Sequence, residues 1–179
     1  MILSLLFLCA TAARAGDAPP ASYAADFVQT RNLPGFDTAL TSRGNLSYDK
    51  VRGFHWEITS PYHYLFEMNG GKAREELPDG SQRALDPAQT PWLAAVQHIF
   101  VSALSGDQAE LAAYFQVAVK PVGDSRQVTL TPKPGAIANA ISRIEVTESG
   151  PGRPEHLEIF ETSGGHMDIR FTPRAAAAP

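Results

Sequence analysis

Five histidines, His55, His63, His98, His156 and His166, are the side chains in this sequence best suited to proton transfer or metal ligation. None stands in an H-x-H or H-E-x-x-H spacing. Each histidine on a predicted strand falls on the face opposite the apolar residues, so the expectation is solvated strand histidines and no metal site. Serine, histidine and aspartate are all present, but no G-x-S-x-G elbow would present a nucleophile. The acids Glu75 and Glu76 sit on a polar strand and read as solvated. Gly70-Gly71 and Gly164-Gly165 read as hairpin turns and not as phosphate cradles, because neither opens a helix. These residues give no positive sign of an enzyme, no catalytic residue and no cofactor.

What the sequence does offer is an apolar surface. Phe54, Trp56 and Ile58 alternate with His55, Glu57 and Thr59, and Tyr62, Tyr64, Phe66 and Met68 alternate with His63, Leu65 and Glu67. That period of two makes adjacent strands with one aromatic face. The pattern by itself fits a packed core better than a ligand cavity. An unfilled groove is the other possibility, since about ten strands supply apolar faces and two modest helices are predicted to cover them.

The elements that position this face are mostly strands. Phe27–Asn32, Thr38–Tyr48, Gly53–Thr59, the run ending at Met68, and Lys72–Leu77 follow one another, with turns at Asn69-Gly70 and Asp79-Gly80. Thr90-Pro91 then starts a helix, on which Trp92, Val96, Ile99, Phe100 and Ala103 recur at helical spacing before Gly106. Asp107 and Glu110 form a capping box for a second helix carrying Leu111 and Tyr114. Strands resume over Phe115–Lys120, Gln127–Thr131, Arg143–Thr147, His156–Glu161 and His166–Thr172. Helices set within antiparallel strands predict an α+β fold in one domain.

Residues 1–15 read as a signal peptide, an apolar run ending in Ala13-Arg14-Ala15, an A-x-A cleavage pattern too short to span a bilayer. Cys9, the one cysteine, lies inside it after Leu8 and without a lipobox, so the mature chain is expected to lack disulfides and thiol chemistry. Export without disulfides suits a periplasm. Losing the leader removes Arg14 and no acid, leaving 14 basic and 19 acidic residues and a net charge of −5. With no run of like charge, nucleic acid is an unsuitable partner. Residues 16–172 are the expected domain and 173–179 a flexible tail.

The segment GNLSYDKVRGFHW, Gly44 to Trp56, resembles the G-x-L-x-x-x-R-P-x-x-F-x-W hairpin of LolA-type carriers. Phe27 and Gln29 repeat that family's F-x-Q strand, and Leu130-Thr131-Pro132-Lys133 its L-T-P-K. The resemblance implies a single highly curved antiparallel sheet, an incomplete β-barrel covered by short lid helices. It also implies a periplasmic carrier, a monomer that takes a lipoprotein or other acylated cargo from an inner-membrane donor complex towards an outer-membrane acceptor. The residues that would line its cavity are Phe27, Leu46, Phe54, Trp56, Ile58, Tyr64, Phe66 and Met68 on the sheet, with Trp92, Val96, Ile99 and Phe100 on the lid. Lys50 takes the place of the family's lid-latching arginine and Val51 that of its proline. Lysine lacks the planar fork, so a solvated turn residue is the plainer reading of Lys50. Only Gly16–Asp26 is left for the helix that precedes the family's F-x-Q strand. A periplasmic sensor or protein-interaction domain of the same fold, as in RseB-type proteins, is the alternative.

Overall fold

A computed structural model describes residues 21–86 and 108–174. Its strands are β1 (Ser22–Asn32), β2 (Leu40–Asp49), β3 (Gly53–Ser60), β4 (Tyr64–Asn69), β5 (Lys72–Glu76) and β6 (Gln82–Leu85), then β7 (Phe115–Val122), β8 (Ser125–Pro132), β9 (Ile141–Glu148), β10 (Pro154–Glu161) and β11 (His166–Pro173). The helix α1 spans Gln108–Tyr114. All eleven strands form one curved antiparallel sheet in the order β6-β5-β4-β3-β2-β1-β11-β10-β9-β8-β7. Two meanders are therefore joined by the pairing of β1 with β11, and the sheet keeps two edges, β6 and β7, instead of closing.

Alternation places one side of every pleat on the concave face. The buried core is built from Tyr23, Ala25 and Phe27 on β1, Leu46 and Tyr48 on β2, and Phe54 and Ile58 on β3. Beyond the β1–β11 seam it continues through Ile169, Leu157, Ile144 and Leu130 to Phe115. The convex face carries most of the charged and polar residues, which is how an antiparallel sheet with one wet side is patterned.

The strand reading holds for most elements, with differences at their ends. β1 begins at Ser22, so the residues just before Phe27 extend a strand and do not form a shortened helix. β6 is an eleventh strand that four residues of mixed polarity, Gln-Arg-Ala-Leu, gave no periodicity to announce. β11 runs to Pro173, and Arg174 is held by the Asp26 carboxylate and by a hydrogen bond from its amide to Ala24 O. Helix α1 buries Leu111, but Tyr114 at its end is exposed. The first predicted helix, with Trp92, Val96, Ile99 and Phe100, lies outside the described residues.

Gly44 shows why the sheet needs a glycine in the middle of a strand. It sits opposite Phe27 on one side and Ile58 on the other, next to a bulge at Arg43. A Cβ here would run into the Glu57 carbonyl oxygen and come within 2.7 Å of Phe27 Cζ. The Phe27 ring instead crosses the glycine and stacks on Trp56, with centroids 4.0 Å apart and planes 25° from parallel. Replacing Gly44 by alanine should destabilise the fold by about 1–3 kcal/mol, the usual cost of overpacking, and valine should cost more. Urea unfolding measures this, and an unchanged midpoint for Gly44→Val would show that the ring does not need the space.

Candidate functional site

The candidate site is the concave face around the Phe27–Trp56 stack. Cross-strand register builds it line by line. Leu46, Trp56 and Phe66 are successive partners across β2, β3 and β4, as are Tyr48, Phe54 and Met68. Phe54 lies 6.4 Å from Trp56 and 6.2 Å from Phe66 between ring centroids, within the range where aromatic pairs attract.

The eight predicted sheet residues therefore share one face, but not one degree of burial. Phe27, Leu46, Phe54, Ile58, Phe66 and Met68 are buried, and Trp56 and Tyr64 remain partly open. Tyr62, grouped with them by alternation, lies before β4 and is exposed. Beyond the seam, Val117, Ile159 and Met167 are also partly buried against the core. The apolar side chains with concave surface to offer thus come from both meanders. An open cleft of about 860 Å³ at one end of the sheet is lined by Tyr23, Leu46, Tyr48, Phe54 and Met68, together with polar residues such as Arg52, Glu67 and Arg153. Lys50 is an exposed residue of the β2–β3 turn, where the Asp49 carboxylate accepts hydrogen bonds from the amides of Val51 and Arg52.

Sequence reasoning missed the polar groups inside the concave face. Glu75 is buried and not solvated, because register sets it opposite Phe66, in the same row as Ala73. Tyr64 donates its hydroxyl hydrogen to Glu75 at 2.9 Å, and Arg83 from β6 pairs with the same carboxylate. Burial, reinforced by that carboxylate, pushes the Tyr64 hydroxyl far above the ordinary tyrosine range. Glu148 on β9 is the counterpart across the sheet. It is buried and bridged by Arg126 Nη2 at 2.6 Å, yet burial still pushes its carboxyl up against the pull of Arg126. The signal for Glu75 was the Asn69-Gly70-Gly71 turn, since it sets the β4–β5 register that turns Glu75 inward.

Lys133, the last residue of Leu130-Thr131-Pro132-Lys133, has a definite task. Its Nζ donates to Ala112 O at 2.6 Å, and its amide donates to Tyr114 O at 2.9 Å. The last turn of α1 holds no basic residue, so Lys133 supplies from outside the helix the cation that its C-terminal carbonyls attract.

His55, His156 and His166 face the convex side as their alternation requires and His63 lies just before β4, but none of the four is free in solvent. Their side chains are between 24% and 44% exposed, and each stands beside a carboxylate. His55 Nδ1 is 3.1 Å from Glu67, and His63 Nε2 is 3.2 Å from Glu57. A hydrogen bond from Asn45, helped by these histidines, holds the Glu57 carboxyl below its usual range. His156 Nε2 is 2.7 Å from Asp168. Cross-strand pairing of unlike groups, invisible to a scan of one strand, accounts for the difference.

No helix among the described residues is long and apolar enough to cross a membrane. A family model described as outer membrane lipoprotein carrier protein LolA matches residues 20–178. An outer-membrane lipoprotein carrier protein of Chromohalobacter salexigens is 28% identical over 151 residues, 84% of this chain and 68% of that one. A solved LolA superfamily protein of Nitrosomonas europaea is 12% identical, with 92% of this chain and 90% of that chain covered and a TM-score of 0.49. The lipoprotein LppX of Mycobacterium tuberculosis is 10% identical, with 88% of each chain covered and a TM-score of 0.44. With the family model matched from the first residues of β1 to the end of the sheet and beyond, the chain belongs to the LolA family of outer membrane lipoprotein carrier proteins.

Proposed function

We propose that this protein is a periplasmic carrier that shelters the acyl chains of a lipoprotein, or of another lipidated molecule, against its concave face and passes them towards the outer membrane. The observation that carries this reading is the run of partly open apolar side chains on that face, Trp56, Tyr64, Val117, Ile159 and Met167, drawn from both meanders of a LolA-family sheet. An acyl chain laid along such a surface gains roughly 0.8 kcal/mol for each CH₂ removed from water, with no need of specific contacts. The signal peptide read from residues 1–15 supports the compartment. Donor and acceptor complexes in the two membranes are the partners this role requires.

The inward polar groups are compatible with that use. Glu75 and Glu148 each have an arginine on a neighbouring strand, so an apolar guest would meet paired charges and not bare ones. Release requires that the guest be held by surface contact and not by a sealed pocket. The unclosed edges β6 and β7 suit that requirement.

An environment-sensitive apolar dye should bind the folded protein stoichiometrically, and a lipopeptide should displace it. A face that is wholly packed core would bind no dye until unfolding begins, and the interaction-domain reading would then replace the carrier.

Trp56 and Phe66 separate guest contact from core packing. Trp56→Gln should weaken dye and lipopeptide binding by about tenfold, the equivalent of some 1.4 kcal/mol. Its melting temperature should fall less than that of Phe66→Gln. Phe66 is buried, so its replacement should cost about 3 kcal/mol or more through the lost ring and an unsatisfied amide. Equal destabilisation by both changes, with no separate binding defect for Trp56→Gln, would assign Trp56 to the core.

A further inference from the structure

We propose that His156, Glu158 and Asp168 on the convex face of β10 and β11 form a binding site for a divalent transition-metal ion of the zinc class, with His166 as its fourth ligand. The site lies on the opposite side of the sheet from the apolar face and does not depend on the carrier role.

Strand register puts three acids in one row. Glu145 on β9 is opposite Glu158 on β10, and Glu158 is opposite Asp168 on β11. Like charges directly across a ladder repel, so such a row calls for cations. Arg143 Nε lies 2.9 Å from Glu145, and the largely exposed Arg170 approaches Asp168 Oδ1 at 3.4 Å. What stands against Glu158 is an imidazole, with His166 Nε2 at 3.3 Å.

The imidazoles bracket the acid pair. His156 precedes Glu158 by two residues on β10 and His166 precedes Asp168 by two on β11, so the two rings approach from opposite ends. His156 Nε2 reaches Asp168 Oδ2 at 2.7 Å. One ligand atom each from His156, Glu158 and Asp168 lie within 4.8 Å of one another. A tetrahedral zinc ion holds its ligands at about 2.0–2.2 Å, which sets them roughly 3.5 Å apart, so small side-chain rotations would close the set.

His166 adds a separate indication. Its Nε2 is buried and makes no hydrogen bond among the described residues, although Glu158 Oε1 is near. Its ring is stacked on Phe160 at 4.8 Å between centroids, and Phe160 lies in turn beneath the Arg143 guanidinium. A nitrogen fixed in place and left without a hydrogen bond beside a carboxylate is suited to ligation. Two nitrogens and two carboxylate oxygens match the preference of zinc and its neighbours over calcium or magnesium. Strands β10 and β11 lie inside the sheet, so the ligands stand on a rigid frame.

The test uses the full chain freed of metal by chelation. Calorimetric titration with zinc chloride at pH 7.5 should show one principal site, and binding should weaken at pH 5.5 as protons compete for the imidazoles. His156→Gln and Asp168→Asn should each lower zinc affinity by at least about tenfold, the scale on which even indirect partners of a metal matter. His55→Gln, on the other half of the sheet, should leave it unchanged. Cobalt added to the unsubstituted protein should give the visible absorption of a four-coordinate nitrogen–oxygen site, a readout that no folding defect in a variant can mimic. Absence of zinc binding, or binding that survives both His156→Gln and Asp168→Asn, overturns the proposal.

Discussion

The contact on which the sheet's shape depends is the stack of Phe27 on Trp56 across Gly44. Strands β1 and β3 are not neighbours, yet their aromatic rings meet because the strand between them has no side chain at the crossing point. That contact ties the inward rows of three strands into one unit and sits beside the bulge at Arg43, where β2 shifts register against β3. It also accounts for why the motif residues Phe27, Gly44 and Trp56 belong together physically. Each is required by the other two.

Around that unit, acids on both faces are paired. The inward acids are buried and bridged by arginine, and the outward acids are met by histidine, arginine or asparagine one strand away. A buried carboxylate without its partner would be strongly destabilising, whereas a bridged one contributes little net energy. Glu75 and Glu148 are therefore better understood as fixing how β5 meets β6 and how β8 meets β9 than as sources of stability. Lys133 does similar work for α1, anchoring its last turn to the strand that follows β7.

Most of the strands could be read in the sequence because period-two alternation is a local signal. The turns Asn69-Gly70 and Asp79-Gly80 were legible for the same reason, and so was the shared face of Phe54, Trp56, Phe66 and Met68. What could not be read was set by pairing between strands. Glu75 looked solvated because KAREE is polar along its own length, and only its place opposite Phe66 turns it inward. The histidines looked free because their carboxylate partners lie on other strands, some of them ten or more residues away. Strand β6 escaped notice since four residues are too few to establish a period. The distinction between Phe66, buried, and Trp56, partly open, likewise depends on curvature and not on residue type.

The pairing of β1 with β11 has a consequence for how the chain must fold. The seam between the two meanders joins the first strand to the last, and contacts such as Tyr23 to Pro154 and Asp26 to Arg174 span 131 and 148 positions. During synthesis from the N-terminus, each meander can zip up from local hairpins, but β1 keeps a bare ladder edge until residues 166–173 have been made. Closing so long a loop is slow compared with hairpin formation, so this topology lengthens the interval in which the chain lacks its central seam.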